Sequence, residues 1–186
     1  MNTLESDIAF TVIEEDNVTN SMREEAGNLL PKYWVSGKQE IIKRGWVQNE
    51  PIYRVLAHNE GGLLVAQGSL VDITSAQNTY TYSGDLLEPV VLGLAEGVVK
   101  EDYRERGIGS KVIQKRVELA EELGAGVIMA ASDKPKVLHT LVRLNFREVN
   151  HGEFFYSEGK YRQIFNPSWY VRGNPPRFPW QISNDF

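Results

Sequence analysis

Between Val90 and Leu123, a nearly unbroken apolar run hands over, through a short polar turn holding two glycines, to a segment with apolar residues at helical spacing. No other stretch restricts the fold as much. Val90 to Lys100 is apolar on both faces, as a strand central in a sheet must be. Ile108, Val112, Ile113, Val117, Ala120 and Leu123 form one stripe of an amphipathic helix, and Gly124 stands where a C-cap glycine belongs. A short apolar strand follows at Gly126 to Ala131. A second amphipathic helix follows at Pro135 to Leu144, with proline in the first turn, where the lost N–H costs nothing. Phe146 to Tyr156 reads as a returning strand.

Upstream, Ile8, Phe10 and Val12 alternate with Ala9 and Thr11 and read as a first strand. Asn20 to Leu30 reads as a helix stopped by Pro31, and Lys38 to Arg44 as a second helical piece. Ile52 to Ala57 and Leu63 to Ile73 read as strands joined through the turn residues His58 to Gly62. After Lys160 the chain is expected to be irregular. Asn174 to Trp180 carries three prolines, each fixing its own φ and removing a donor. The order predicts an α+β architecture: a mostly antiparallel sheet followed by strand–helix–strand–helix–strand.

Composition narrows the function classes. The chain of 186 residues suits one domain with a substantial core. No run approaches the ~18 apolar residues of a membrane span, and Met1 to Glu15 lacks a basic-then-apolar signal pattern. There is no cysteine, so disulfides, thiolate metal sites and a cysteine nucleophile are excluded. These features set cytoplasmic residence as the expectation. The net charge of −5 argues against a nucleic-acid binder and the apolar pattern against a membrane partner. Against that acidity, Lys100 to Arg116 carries six basic and three acidic residues, which suits a small polyanion held at one place. A solvated helix face of mixed charge would look the same. His58, His139 and His151 are scattered without metal-type spacing, so no metal is expected.

The turn itself carries the chemistry. A helix N-terminus presents unpaired N–H groups and a partial positive charge, a ready site for phosphate. Gly107 and Gly109 permit close approach to the backbone, the amides of Glu105 to Ser110 can form an anion nest, and Arg104 and Arg106 can add charge-assisted bonds. A plain turn into a helix using two glycines is the bland alternative. Position 112 is Val112, so this is not a dinucleotide fingerprint, and no Gly-Lys-Ser/Thr marks a nucleotide-hydrolase loop.

Arg104-x-x-Gly107-x-Gly109 resembles the Arg/Gln-x-x-Gly-x-Gly/Ala signature of the Gcn5-related N-acetyltransferase (GNAT) superfamily, and Val99 to Ser110 is similar to its motif A throughout. The resemblance runs on through the following helix, strand and helix to Leu144-Asn145-Phe146, where the family usually has Leu-Gly-Phe. It covers Val90 to Val149, about a third of the chain. Leu94 to Val99 looks most like the aminoglycoside 2′-N-acetyltransferases and, more weakly, the nodulation acyltransferases, which Trp46 to Ile73 is similar to in layout.

The resemblance implies a GNAT-like fold with a splayed strand pair and helices on both faces, in one domain over residues 1–172 with a proline-rich surface tail at 173–186. It implies acetyl-CoA as co-substrate and an amine acceptor, small molecule or protein, and it leaves room for a homodimer. By position, Gly97, Val98 and Val99 would bind the pantetheine arm through main-chain groups, and Arg104, Glu105, Arg106, Gly107, Ile108, Gly109 and Ser110 would hold the pyrophosphate. An N–H near Val98 would steady the thioester oxygen. Glu96 is the candidate catalytic carboxylate: a base acting directly or through water, a group that attracts a cationic acceptor, or a structural partner for an arginine. The family's cofactor-contacting asparagine falls on Lys134. Its thiolate-protonating tyrosine falls on Leu141, a departure that leaves His139, Tyr80, Tyr82 and Tyr156 as substitutes. Trp34, Trp46 and Trp169 would line an acceptor pocket or serve the core. The alternatives to an N-acyltransferase are a catalytically silent acyl-CoA-binding module, an acyltransferase drawing longer chains from acyl carrier protein, and a structural protein without cofactor.

Overall fold

Strand alternation and turn chemistry place most of the sheet. The computed structural model describes residues 8–29, 51–72, 90–132, 134–149, 154–156, 168–173 and 180–182. β1 (Ile8–Glu14) leads through a 3-10 turn at Glu15–Asn17 to α1 (Asn20–Leu29). β2 (Pro51–Asn59) and β3 (Leu64–Asp72) form the expected hairpin, closed where Asn59 N–H donates to Leu63 O at 3.0 Å. β4 (Val91–Val99), α2 (Ile108–Glu122), β5 (Val127–Ser132), α3 (Pro135–Arg143) and β6 (Arg147–Val149) follow. Both later helices end in a Schellman motif. After α2, Gly124 takes φ 77° and Ala125 N–H donates to Ala120 O; after α3, Asn145 takes φ 62° and Phe146 N–H donates to Leu141 O. Asparagine tolerates that left-handed conformation better than most side chains, so Asn145 can stand where the resembled family has glycine.

Among the described residues the main sheet has seven strands in the order β1-β2-β3-β4-β5-β8-β6, where β8 is Ser168–Gly173, antiparallel except for the β4–β5 pair. Alternate residues of β2 face opposite layers. Val55 and Ala57 pack with Val65, Ile108 and Val112 beneath α2, while Leu56 packs with Leu64 and Ala26 beneath α1. The largest cluster lies under α2 and α3 and joins Leu70, Leu92, Ile128, Leu141 and Phe146. This is the α+β, GNAT-like arrangement that the sequence predicted, with helices on both faces.

Two expectations are corrected. Phe146 to Tyr156 is not one strand: Arg147–Val149 joins the main sheet, and β7 (Phe154–Tyr156) pairs in a separate two-stranded sheet. Nor are the described residues after Lys160 irregular. β8 (Ser168–Gly173) inserts between β5 and β6, and β9 (Trp180–Ile182) pairs parallel to β7. The flanking Pro167, Pro175 and Pro176 read locally as loop, but β8 is set by pairing with β5, which is nonlocal. Its last residue must be glycine: a Cβ on Gly173, at φ 101°, would lie 2.2 Å from Gly126 O. The helical piece expected at 38–44, and Trp34, Trp46, Tyr80, Tyr82 and His151, lie outside the described residues.

Candidate active site

The candidate site lies where β4 parts from β5 while staying paired with β3. β4 pairs with β5 only from Val91 to Leu94, whereas β5 continues alongside β8 to Ser132. From Ala95 onward the β5-facing edge of β4 therefore makes no ladder with β5, and this stretch contains Gly97, Val98 and Val99. On the other side Ser69 pairs with Ala95 and Gln67 with Val98, so Gly68 alone opposes Glu96 and Gly97. This is a β-bulge, and it bends and twists the strand. Glu96 takes φ 51°, a left-handed conformation costing a non-glycine residue about 1–2 kcal/mol.

The strand then enters the loop. Lys100 N–H donates to Val65 O at 2.8 Å, and a 3-10 turn at Glu101–Tyr103 follows. Glu105 (φ 66°) and Gly107 (φ 78°) are both left-handed, and Gly107 is the N-cap of α2. The helix ladder begins with Lys111 N–H donating to Gly107 O at 3.0 Å, so the amides of Ile108, Gly109 and Ser110 precede it. No side chain caps this end. The two glycines are needed for different reasons. Nothing lies within 4 Å of a Cβ on Gly107, so its φ decides, whereas a Cβ on Gly109 would come 3.2 Å from Val99 Cγ2. Arg104 donates to Val99 O and Arg106 to Asp102 O, the latter with its guanidinium 5.1 Å over the Tyr103 ring. Both arginines are exposed at the loop. Ser110 and Thr140 share a hydrogen bond of 2.9 Å, linking α2 to α3. Glu105 pairs with Lys136, whose ammonium holds that carboxyl below its usual range. Lys134 is the exposed N-cap of α3, its N–H donating to Ser132 Oγ.

Glu96 lies on the α1 side of the sheet and is 1% exposed. Its Oε2 accepts from Arg54 Nη1 at 2.7 Å and from Ser69 Oγ at 2.6 Å. Arg54, 5% exposed, also donates through Nε to Glu15 Oε2 at 2.7 Å and through Nη1 to Gln67 Oε1 at 3.2 Å. Glu15 in turn pairs with Arg23 nearer the surface. Burial alone would lower the Arg54 pKa, but the charges and hydrogen bonds of Glu96 and Glu15 outweigh it and raise it. The result is an alternating chain of charge that ends at the bulge.

Sequence reading missed Arg54, Ser69 and Gln67, and it counted Arg116 among the cations of a surface patch. Arg116 is instead buried beneath the bulge on the α2 side. The signals were present: Arg54 interrupts an apolar strand, and Arg116 continues the face of Ile108 and Val112 at intervals of four. Leu141, at the resembled tyrosine position, is 1% exposed in the core, and His139 is exposed on α3. Trp169 lies in β8 and Tyr156 in β7. A cavity of about 330 Å³ beside Tyr103 and Arg106 is walled by Ile8, Asn59 and Ile108. No residue of β5 lines it, so it lies apart from the β4–β5 opening. Among the described residues no His, Asp and Glu cluster could hold a metal, and no helix is long and apolar enough to cross a membrane.

Comparison with known proteins agrees with this geometry. Similar solved structures include a GNAT family N-acetyltransferase (YhbS) from Escherichia coli in complex with CoA: 12% identity, TM-score 0.62, covering 95% of this chain and 89% of that one. An acyl-CoA N-acyltransferase from Pseudomonas aeruginosa shows 14% identity and a TM-score of 0.60, covering 89% and 99%. A GNAT family acetyltransferase from Staphylococcus aureus shows 16% identity and a TM-score of 0.56, covering 88% and 98%. A search of curated protein sequences finds no match. These structural likenesses establish the fold, and the sequence carries the assignment further. The model of the Acetyltransferase (GNAT) family matches residues 20–146, a span holding the parted strand, the bulge and the glycine loop together. The chain therefore belongs to the GNAT acetyltransferase family, whose activity is acyl transfer from an acyl-coenzyme A.

Proposed function

We propose that this protein transfers an acetyl or other small acyl group from coenzyme A to an amine by direct attack. The observation that carries the reading is the end of β4–β5 pairing at Leu94, just before a run of main-chain groups that leads into the left-handed loop. A pantetheine arm is a chain of amides and can take the place of a missing strand. Gly97, Val98 and Val99 would hold it, and the amides of Ile108, Gly109 and Ser110, with Arg104 and Arg106, would hold the pyrophosphate. The Escherichia coli protein of this fold was solved with CoA, which supports the same occupant. Bound acetyl-CoA supplies the activated acyl group. The remaining work falls to this chain's own residues.

The N–H near Val98 is assigned to the thioester oxygen, where a preset donor acts most strongly as charge develops. Glu96 is assigned the task of fixing the bulge that aims this donor, since its Oε2 already receives two hydrogen bonds in a buried site. A second reading keeps Glu96 as the base that takes the amine proton through water. Its place in the strand, just before Gly97 and Val98, favours that reading. With Glu96 as anchor, the amine attacks as the free base, the C–S bond breaks as the tetrahedral adduct collapses, and the nitrogen's proton passes to solvent or to the departing sulfur. A thiol has a pKa of about 8.5, so the thiolate leaves without a dedicated acid. That agrees with Leu141 being buried rather than presented to the cleft.

The test is a thiol-release screen of acetyl-CoA against small amines, polyamines, aminosugars and peptides with free N-termini or lysines. Turnover with at least one acceptor is expected. Binding of CoA without thiol release across the panel would convert the protein into a silent acyl-CoA-binding module. Activity only with long-chain acyl carrier protein would replace the small-acyl donor.

A further inference from the structure

We propose that Arg116 is a positioning residue for this reaction. Its guanidinium, inserted from α2, holds the β3–β4 bulge so that the Gly97 and Val98 main chain faces the acyl group. The proposal rests on the donor assignment above and adds the group that maintains it.

Arg116 sits on the buried face of α2, one turn beyond Val112 and two beyond Ile108, and is 3% exposed. An arginine there is costly, because desolvating a charge in a protein interior takes several kcal/mol. Burial brings its pKa down to about 10, against the opposing charge of Glu96, and still leaves it a cation at pH 7. An aliphatic side chain would fill the same stripe at no such cost. What the arginine gains is specific. Nη1 donates to Ser69 O at 3.2 Å and to Ala95 O at 2.9 Å, one carbonyl on each strand, from the residue pair that borders the bulge. Nε donates to Val112 O at 3.3 Å, tying the head to its own helix. Ser69 and Ala95 are the last regular pair before Gly68 faces two residues.

The glycines of the bulge are shaped around this head. A Cβ on Gly68 would lie 2.6 Å from Arg116 Cζ, and a Cβ on Gly97 would lie 3.3 Å from Nη2. Small residues on both strands let the planar guanidinium lie against the backbone. On the opposite face Glu96, held by Arg54 and Ser69, provides the compensating charge. The bulge is thus gripped from both sides: from α2 by main-chain hydrogen bonds, and from the α1 side by an ion pair. The planar guanidinium serves three carbonyls at once, Ser69 O and Ala95 O through Nη1 and Val112 O through Nε, whereas an ammonium is a point donor.

The experiment compares wild type, Arg116→Met and Arg116→Lys in thiol release with an accepted amine. Acetyl-CoA binding is followed through the ¹⁵N–¹H signals of Gly97 and Val98. Arg116→Met is expected to melt near the wild-type temperature, to bind CoA within about threefold, and to lose at least about 30-fold in kcat, with the two amide signals displaced. Arg116→Lys should fall between. A folded methionine variant with kcat within threefold and undisplaced amides overturns the proposal. If Arg116→Met does not fold, Gly68→Ala serves instead. It keeps the charge but pushes the head aside, and it should cause the same selective loss of kcat; an unchanged kcat overturns the proposal. A wild-type protein with no turnover, and no response of Gly97 or Val98 to acetyl-CoA, sinks the acyl-transfer reading itself. A responsive wild type with an unaffected variant sinks only the role of Arg116.

Discussion

Replacing Glu96 by Gln separates anchor from base. The substitution keeps shape and left-handed backbone, so strain at φ 51° does not change. It removes the charge that faces Arg54 Nη1 at 2.7 Å and Ser69 Oγ at 2.6 Å. Breaking a buried ion pair from one side costs about 3–5 kcal/mol. Arg54 keeps Glu15 as a partner through Nε at 2.7 Å, and the new amide oxygen still accepts one bond, so the lower edge applies, about 3 kcal/mol. For a chain of this length each kcal/mol shifts Tm by about 2–4 °C, which predicts a fall of about 6–12 °C. The assay is thermal melting followed by circular dichroism, with thiol release measured from pH 6 to 9 below the variant's Tm. An anchoring Glu96 lowers Tm by that amount and lowers kcat without changing the shape of the pH–rate profile. A Tm within 2 °C of wild type, together with a 10²–10⁴-fold loss of kcat and a vanished ascending limb, would refute the anchoring argument and establish the base.

Other outcomes follow from the same geometry. Coenzyme A at about 100 times its Kd should add about 2.7 kcal/mol of apparent stability and raise Tm by about 5–10 °C, readable by differential scanning fluorimetry. Gly107→Ala places a Cβ at φ 78° in open space, so it should cost only the left-handed penalty of about 1–2 kcal/mol and weaken CoA binding more than it lowers kcat at saturation. Leu141→Tyr at the resembled tyrosine position should not raise turnover. It should destabilise by about 1–3 kcal/mol, because the side chain enters a filled core beside Phe146, as a denaturant midpoint would show.

Much of the fold was legible because its signals are local. Alternation in β1, the turn residues between β2 and β3, proline at the start of α3, Gly124 after α2 and Gly107 before it each act within a few residues. The glycine loop was legible for the same reason: a helix start has free amides whatever packs around it. The bulge was not, since it exists only in the register of Gln67 and Ser69 against Val98 and Ala95. Nor was β8, which the prolines around it disguised.

The charged residues divide along the same line. Sequence order alone determined that a strand would run through a glycine turn into a helix start with free amides, because backbone geometry and the absence of a Cβ are properties of the residues themselves. Tertiary structure alone decided that Arg54, Glu96 and Arg116 would meet around one bulge. Whether a charge is solvated or buried depends on what packs over it. The partners that make such burial tolerable come from β2, β3, β4 and α2, which the chain brings together only on folding.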